Sequence, residues 1–282
     1  MNIPKRFARK RAETVLRLGF VIFFAISCNR PIVAAPEDWS ASISEANEEN
    51  DAMHLKLAEE RFKTAIRLAE SDPLGVDKVA TSVSALAHLQ MEQSDFEGAS
   101  KTIDSGLQWI SNRADNYEAR GRLEFIKGAL YARRNKLIDA ERQFQLALQL
   151  QQSQLDMRLF DTLRSLAILY EEENKLDAAE SYCKRAIEIA TADVGATTQA
   201  AADAQLLLCR IVTKLRRYDE AKALLGSARA IYICLPPSRQ QADRLIVCDK
   251  YADWINKSKD TSNVKLPQLE PATAVRANPG DN

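Results

Sequence analysis

One pattern constrains this chain more than any other, because it returns five times at intervals of 39 to 42 residues. Each copy sets a small residue, a second residue four positions on, usually large and apolar, and another small one three further. The copies are Ala58, Phe62 and Ala65; Ala99, Ile103 and Gly106; Ala140, Phe144 and Ala147; Ala179, Cys183 and Ala186; and Ala221, Leu225 and Ala228. Offsets of four and seven fall on one stripe of an α-helix. Each copy therefore reads as a helix whose small residues let a neighbouring helix come close.

A second amphipathic stretch precedes four of these helices and carries its own close-approach residue. These are Ala87, Gly128 with Tyr131, Ala167 with Tyr170, and Cys209 with Val212. The unit is thus two antiparallel helices joined by a short turn, as at residues 134–136 and 173–175. Composition agrees, since 282 residues hold only 9 Gly and 9 Pro among many Ala, Leu, Glu, Gln, Lys and Arg, the residues that favour helices. A helix pair of this kind cannot bury its apolar face alone, so the pairs are expected to stack.

The pattern, clearest over residues 163–189, resembles the tetratricopeptide repeat. Its period exceeds the family's usual length of about 34 residues and is similar to the longer kinesin-light-chain subtype. The resemblance covers residues 51–231. Where the family has a turn glycine, this chain has Ser94, Asn135, Asn174 and Arg216. The first repeat shows only its second helix, because residues 42–50 are polar and carry no stripe.

The resemblance implies an all-α, right-handed superhelical solenoid of antiparallel helix pairs whose first helices line a concave groove. In the family that groove receives an extended peptide or a partner's helix. The matching positions here are His88, Met91, Arg122, Phe125, Arg133, Arg164, Ile168, Glu172, Arg210 and Lys214. Phe125 between Arg122 and Arg133 is the expected hot spot, since aromatic residues and Arg dominate interface energetics. The Lys and Asn clamp that some members use for a free C-terminal carboxylate has no equivalent here.

The two ends read differently. Residues 1–27 carry six bases and one acid, which leaves 33 bases against 38 acids in the rest, a net of about −5. The apolar run at 18–28 is too short to span a bilayer and fits the core of a secretory signal. Ala25-Ile26-Ser27-Cys28 resembles a bacterial lipoprotein box, with Ala25 where Leu is usual; the competing cut lies near Ala35. The chain is accordingly expected in the periplasm, or on the outer membrane through a lipid on Cys28. Residues 29–50 read as a flexible stem, 51–258 as the repeat domain, 238–258 as a capping helix after Pro236-Pro237, and 259–282 as disordered.

Catalytic chemistry finds little to stand on. His54 and His88 are the only histidines and have no ligand spacing. Cys183, Cys209, Cys234 and Cys248 form no CxxC; Cys183 and Cys209 fall at repeat-core positions, and Cys234 and Cys248 are either a disulfide that would pin the cap or two separately buried thiols. Glu171-Glu172-Glu173 fans around a helix and reads as a solvated end. No nucleotide-binding glycine loop or serine-nucleophile motif occurs. Equal totals of 39 bases and 39 acids leave no global field for nucleic acid. The expectation is a scaffold or adaptor, not an enzyme, with no cofactor and no metal, that binds other proteins or peptides; a self-associating structural subunit is the alternative, and a small-molecule sensor is third.

Overall fold

The computed structural model describes residues 38–113, 116–151, 156–193, 195 and 197–260. All regular structure among them is helical: α1 (Trp39–Asp51), α2 (Leu55–Ser71), α3 (Val76–Glu92), α4 (Phe96–Ser111), α5 (Tyr117–Arg133), α6 (Leu137–Gln151), α7 (Met157–Glu172), α8 (Leu176–Asp193), α9 (Gln199–Lys214), α10 (Tyr218–Cys234) and α11 (Arg239–Asp260). Residues 1–37, on which the expected secretory signal, Cys28 and the two candidate cleavage positions fall, lie outside the described residues, as do those from 261 on.

Five turns set the repeat. Met53, Ser94, Asn135, Asn174 and Arg216 all hold the left-handed conformation, with φ between 57° and 63°. At each, the amide of the following residue donates to a carbonyl five positions back, as from Asp95 to Gln90 and from Lys175 to Tyr170, at 2.8 or 2.9 Å. The left-handed residue itself donates three positions back. Together these bonds satisfy carbonyls that the end of a helix leaves unpaired, and they reverse the chain within three residues. The next helix starts at once, and the leading alanine of each repeat closes its first turn: Ala58, Ala99, Ala140, Ala179 and Ala221 each donate to the carbonyl four back. The recurring alanines are therefore spaced as the turns are.

Antiparallel pairs α1/α2, α3/α4, α5/α6, α7/α8 and α9/α10 stack in chain order, with each second helix also against the next first helix. First helices touch one another across repeats, α1 with α3, α3 with α5, α5 with α7 and α7 with α9, whereas no two second helices meet comparably. First helices thus form the inner, more closely spaced layer. The small residues sit between layers: Ala58, Ala65, Ala99, Ala140, Ala147, Ala167, Ala179, Ala186, Ala221 and Ala228 are fully buried. Phe62, Ile103, Phe144, Tyr170, Cys183, Cys209 and Leu225 pack between them, with Tyr131 partly buried beside them. At Gly128 an added Cβ would lie 2.6 Å from the Phe144 ring, and at Gly106 one would meet Val83 at 2.9 Å.

Two expectations about the ends are corrected. Residues 39–50 are not a flexible stem: they form α1, the first helix of a complete first repeat, which buries Ser42, Ile43 and Ala46 on α2. The stripe is short and one of its members is serine, so hydrophobic periodicity did not show it. At the other end α11 runs to Asp260, two residues beyond the expected limit. Its inward face presents Cys248, Tyr251, Trp254 and Ile255 to the core. Leu208, Cys209 and Val212 of α9 bury against α10, while their counterparts 41 residues on, Asp249, Lys250 and Asp253, are exposed. No second helix is needed there, and α11 closes the stack.

Candidate functional site

The inner layer carries the side chains of interest because equivalent turns of α3, α5, α7, α9 and α11 stand side by side. One row runs Thr81, Arg122, Asp161, Asp203 and Arg244. A second runs Ser84, Phe125, Arg164, Leu206 and Val247, and a third His88, Ala129, Ile168, Arg210 and Tyr251. Three neighbouring pairs bond across these rows of the inner face, Thr81 with Arg122, Asp203 with Arg244, and Arg210 with Tyr251, and apolar residues lie between them.

Its C-terminal half is closed by its own charges. Glu171, only 3% exposed, accepts from Arg210 Nε at 2.8 Å and pairs with Lys214 at 2.8 Å. Arg210 also donates to Tyr251 of the cap, and burial holds the Tyr251 hydroxyl well above its usual range. Asp203 pairs with Arg244 at 3.1 Å and accepts from Tyr232. Every cation of this half that lines the face has a carboxylate.

The N-terminal half is built differently. Arg122 donates to the Thr81 hydroxyl and makes no ion pair with a described residue; burial first, then repulsion from Arg158, lowers its pKa, against the opposing pull of Asp77, Asp156 and Glu118. Arg133 reaches only the Met91 carbonyl, at 3.4 Å. Arg164 lies over the Phe160 ring and 3.7 Å from Asp161, and its Nε has no hydrogen-bond partner. Burial pushes the Asp161 carboxyl up to about 6, against the pull of Arg164. Burial, with Arg133 nearby, lowers the His88 imidazole to about 4, and its Nε2 is unpartnered. A half-buried, uncharged imidazole replaces the exposed groove residue expected at this position.

Several expected roles change. Phe125 is 6% exposed and stacks at a tilt on Phe144 with ring centres 5.6 Å apart, and Met91 is 1% exposed. Both belong to the core, so Phe125 is not the surface hot spot expected between Arg122 and Arg133. The Phe125 side chain leans toward Phe144 of α6, a ring for which Gly128 on α5 leaves room. Arg122, Arg133, Arg164 and Ile168 remain partly open on the face, and Glu172 is exposed. Arg210 and Lys214 are there too, but committed to Glu171. The acid run is not a solvated end: Glu171 is a buried hub, and only Glu172 is exposed. The spacing of Glu171 to Arg210, 39 residues or one repeat, is the signal that would have exposed it.

Of the two readings of the Cys234 and Cys248 pair, the structure has the separate thiols, with one of them exposed. Cys234 is exposed at the end of α10, Cys248 faces the core, and both thiols are free. Burial pushes the Cys248 thiol up to about 11 and the Cys209 thiol to about 12; Cys183 and Cys209 each donate to a backbone carbonyl. Among the described residues, no group of three His, Cys, Asp or Glu is placed to hold a metal ion, and no helix is long and apolar enough to cross a membrane.

No protein-family model and no curated protein matches the sequence. Solved structures do match in shape. BtubC (BKLC) from P. vanneervenii aligns at a TM-score of 0.59 and 17% identity over 85% of this chain and 98% of that one. A signal-transduction ATPase with a tetratricopeptide-repeat sensor from Pyrococcus horikoshii aligns at 0.63 and 15% identity over 77% of this chain, which spans 32% of that protein. PilF of Pseudomonas aeruginosa aligns at 0.53 and 13% identity, over 78% and 88% respectively. At such identities the likeness speaks to architecture, and the architecture is that of a tetratricopeptide-repeat solenoid: five helix pairs and a closing helix.

Proposed function

We propose that this protein is an exported scaffold that holds partner proteins or peptides on the inner face of its first helices. The observation that carries this reading is the N-terminal half of that face. Arg122 and Arg133 on α5 and Arg164 and Ile168 on α7 stand partly open on two helices packed against each other, and nothing in the fold uses them fully. Sites on rigid elements cost little ordering entropy on binding. The basic leader with its short apolar core supports export, either to the periplasm or to the outer membrane through a lipid on Cys28. No catalytic constellation supports an enzyme: the half-buried His88 has its pKa lowered to about 4 and burial raises those of the Cys209 and Cys248 thiols, so neither type of group is poised near neutral pH.

A photo-crosslinking residue placed at Ile168, and separately at Arg185 on the outer face, tests this in the native host. Adducts with other proteins from position 168 and none from 185 fit the proposal. Adducts from 168 that contain only a second copy of this chain replace it with the self-associating subunit. The mass of the mature N-terminus from membrane and soluble fractions tests export; an intact Met1 in the cytoplasm removes that part.

A further inference from the structure

The two halves of the inner face differ in charge compensation, and that difference identifies the chemistry of what binds. On the C-terminal half, Glu171 takes up Arg210 and Lys214, and Asp203 takes up Arg244. On the N-terminal half, Arg122 has a neutral hydroxyl, Arg133 a backbone carbonyl at the limit of hydrogen bonding, and Arg164 one carboxylate at 3.7 Å with its Nε bare. Arg164 keeps 15% of its side chain open. A guanidinium loses much of its hydration in such a cleft and recovers it best from an oxyanion, which accepts two of its N–H groups at once. Arg158, whose charge repels Arg122, is already paired with Asp156 and Glu118.

We infer that the face formed by α3, α5 and α7 binds an extended acidic peptide segment whose carboxylates pair with Arg122, Arg133 and Arg164. This rests on the scaffold reading above and names the class of partner. Arg122 and Arg133 are three helical turns apart on α5, about 16 Å at 1.5 Å per residue. An extended strand covers that span with about five residues. Between them Ala129 and Ile168 offer an apolar floor for the intervening side chains. Asp161 beside Arg164 opposes an anionic guest and sets which carboxylate positions are tolerated. Peptide is favoured over nucleic acid because the chain outside its leader is net acidic, at about −5.

The test is fluorescence anisotropy of labelled hexaglutamate, hexalysine and hexathymidylate with the purified full chain. Hexaglutamate is expected to bind and hexalysine not to. Arg122→Gln with Arg164→Gln should weaken hexaglutamate by about tenfold or more, Asp161→Asn should tighten it several-fold, and Arg185→Gln on the outer face should change nothing. Circular dichroism melts confirm that the variants fold. Equal binding by wild type and the double variant, or binding of hexathymidylate as tight as hexaglutamate, overturns the inference. Failure here alongside protein adducts from position 168 leaves the scaffold reading intact; loss of both removes the face itself.

Discussion

Among the described residues, five side chains sit in the left-handed backbone conformation, which costs an L-residue about 1–2 kcal/mol and glycine nothing comparable. Asn, at 135 and 174, is the side chain that tolerates it best after glycine; Met53 and Arg216 belong to types that do not. Arg216→Gly is therefore expected to stabilise the protein by about 1 kcal/mol, read from urea denaturation, whereas Arg216→Val should destabilise it. The reverse logic applies at Gly128, where the Phe144 ring occupies the space of a Cβ. Gly128→Ala should cost about 1–3 kcal/mol, and Gly128→Ala combined with Phe144→Leu should cost less than the sum of the two. Additive losses would mean that the ring does not hold that position. These residues were legible in advance as exceptions within a repeat: a small residue at fixed phase, or a turn position without its glycine. Phe125 was not, since its phase marks the inner face while its length carries the ring across to Phe144.

At the scale of single helices, what the sequence conceals is mostly polar. Helix α1 escaped notice because its buried stripe is Ser42, Ile43 and Ala46, and Glu171 because a run of three acids looks solvated. Helix α11 was visible by its Tyr, Trp and Ile, but the clasp that fixes it, Glu171 with Arg210 and Tyr251, joins three helices and has no local signature. Glu171→Gln leaves Arg210 and Lys214 without a counter-charge. The loss should be about 2 kcal/mol, below that of a fully buried pair because both cations keep contact with water, and hydrogen exchange should rise first in α11. Helices α3 and α7 carry an opposed pair of titrations. His88 is depressed to about 4, so its contribution to stability is present above pH 6.5 and is lost as pH falls toward 4. Asp161 is raised to about 6, so its contribution is present below pH 3.8 and is lost as pH rises through 6. The two slopes oppose each other between pH 4 and 6. Relative to wild type, His88→Gln should gain stability on acidification across that window and Asp161→Asn should lose it, as followed by thermal melts at half-unit steps.

Across the whole molecule, each repeat touches only its neighbours, so stability is a sum of repeat terms and interfaces and opening begins where interfaces are fewest. The core is uneven along the stack. One continuous cluster runs from Ala87 and Met91 in α3 to Ile255 in α11, while α1 and α2 are held by two smaller clusters that also end on α3 to α5. Helix α1 contributes two buried apolar residues, Ile43 and Ala46, and its outward side is polar. Hydrogen exchange under native conditions should accordingly release α1 first, then α2, with α5 to α9 slowest and α11 between them because the Glu171 clasp and Tyr232 hold it. The order follows from nearest-neighbour stacking, so it should survive Gly128→Ala with the slow group weakened and the fast group unmoved. A single opening rate shared by α1 and α7 would mean that the pairs do not act as separate units, and a fast α7 would place the weak interface inside the very face assigned to binding.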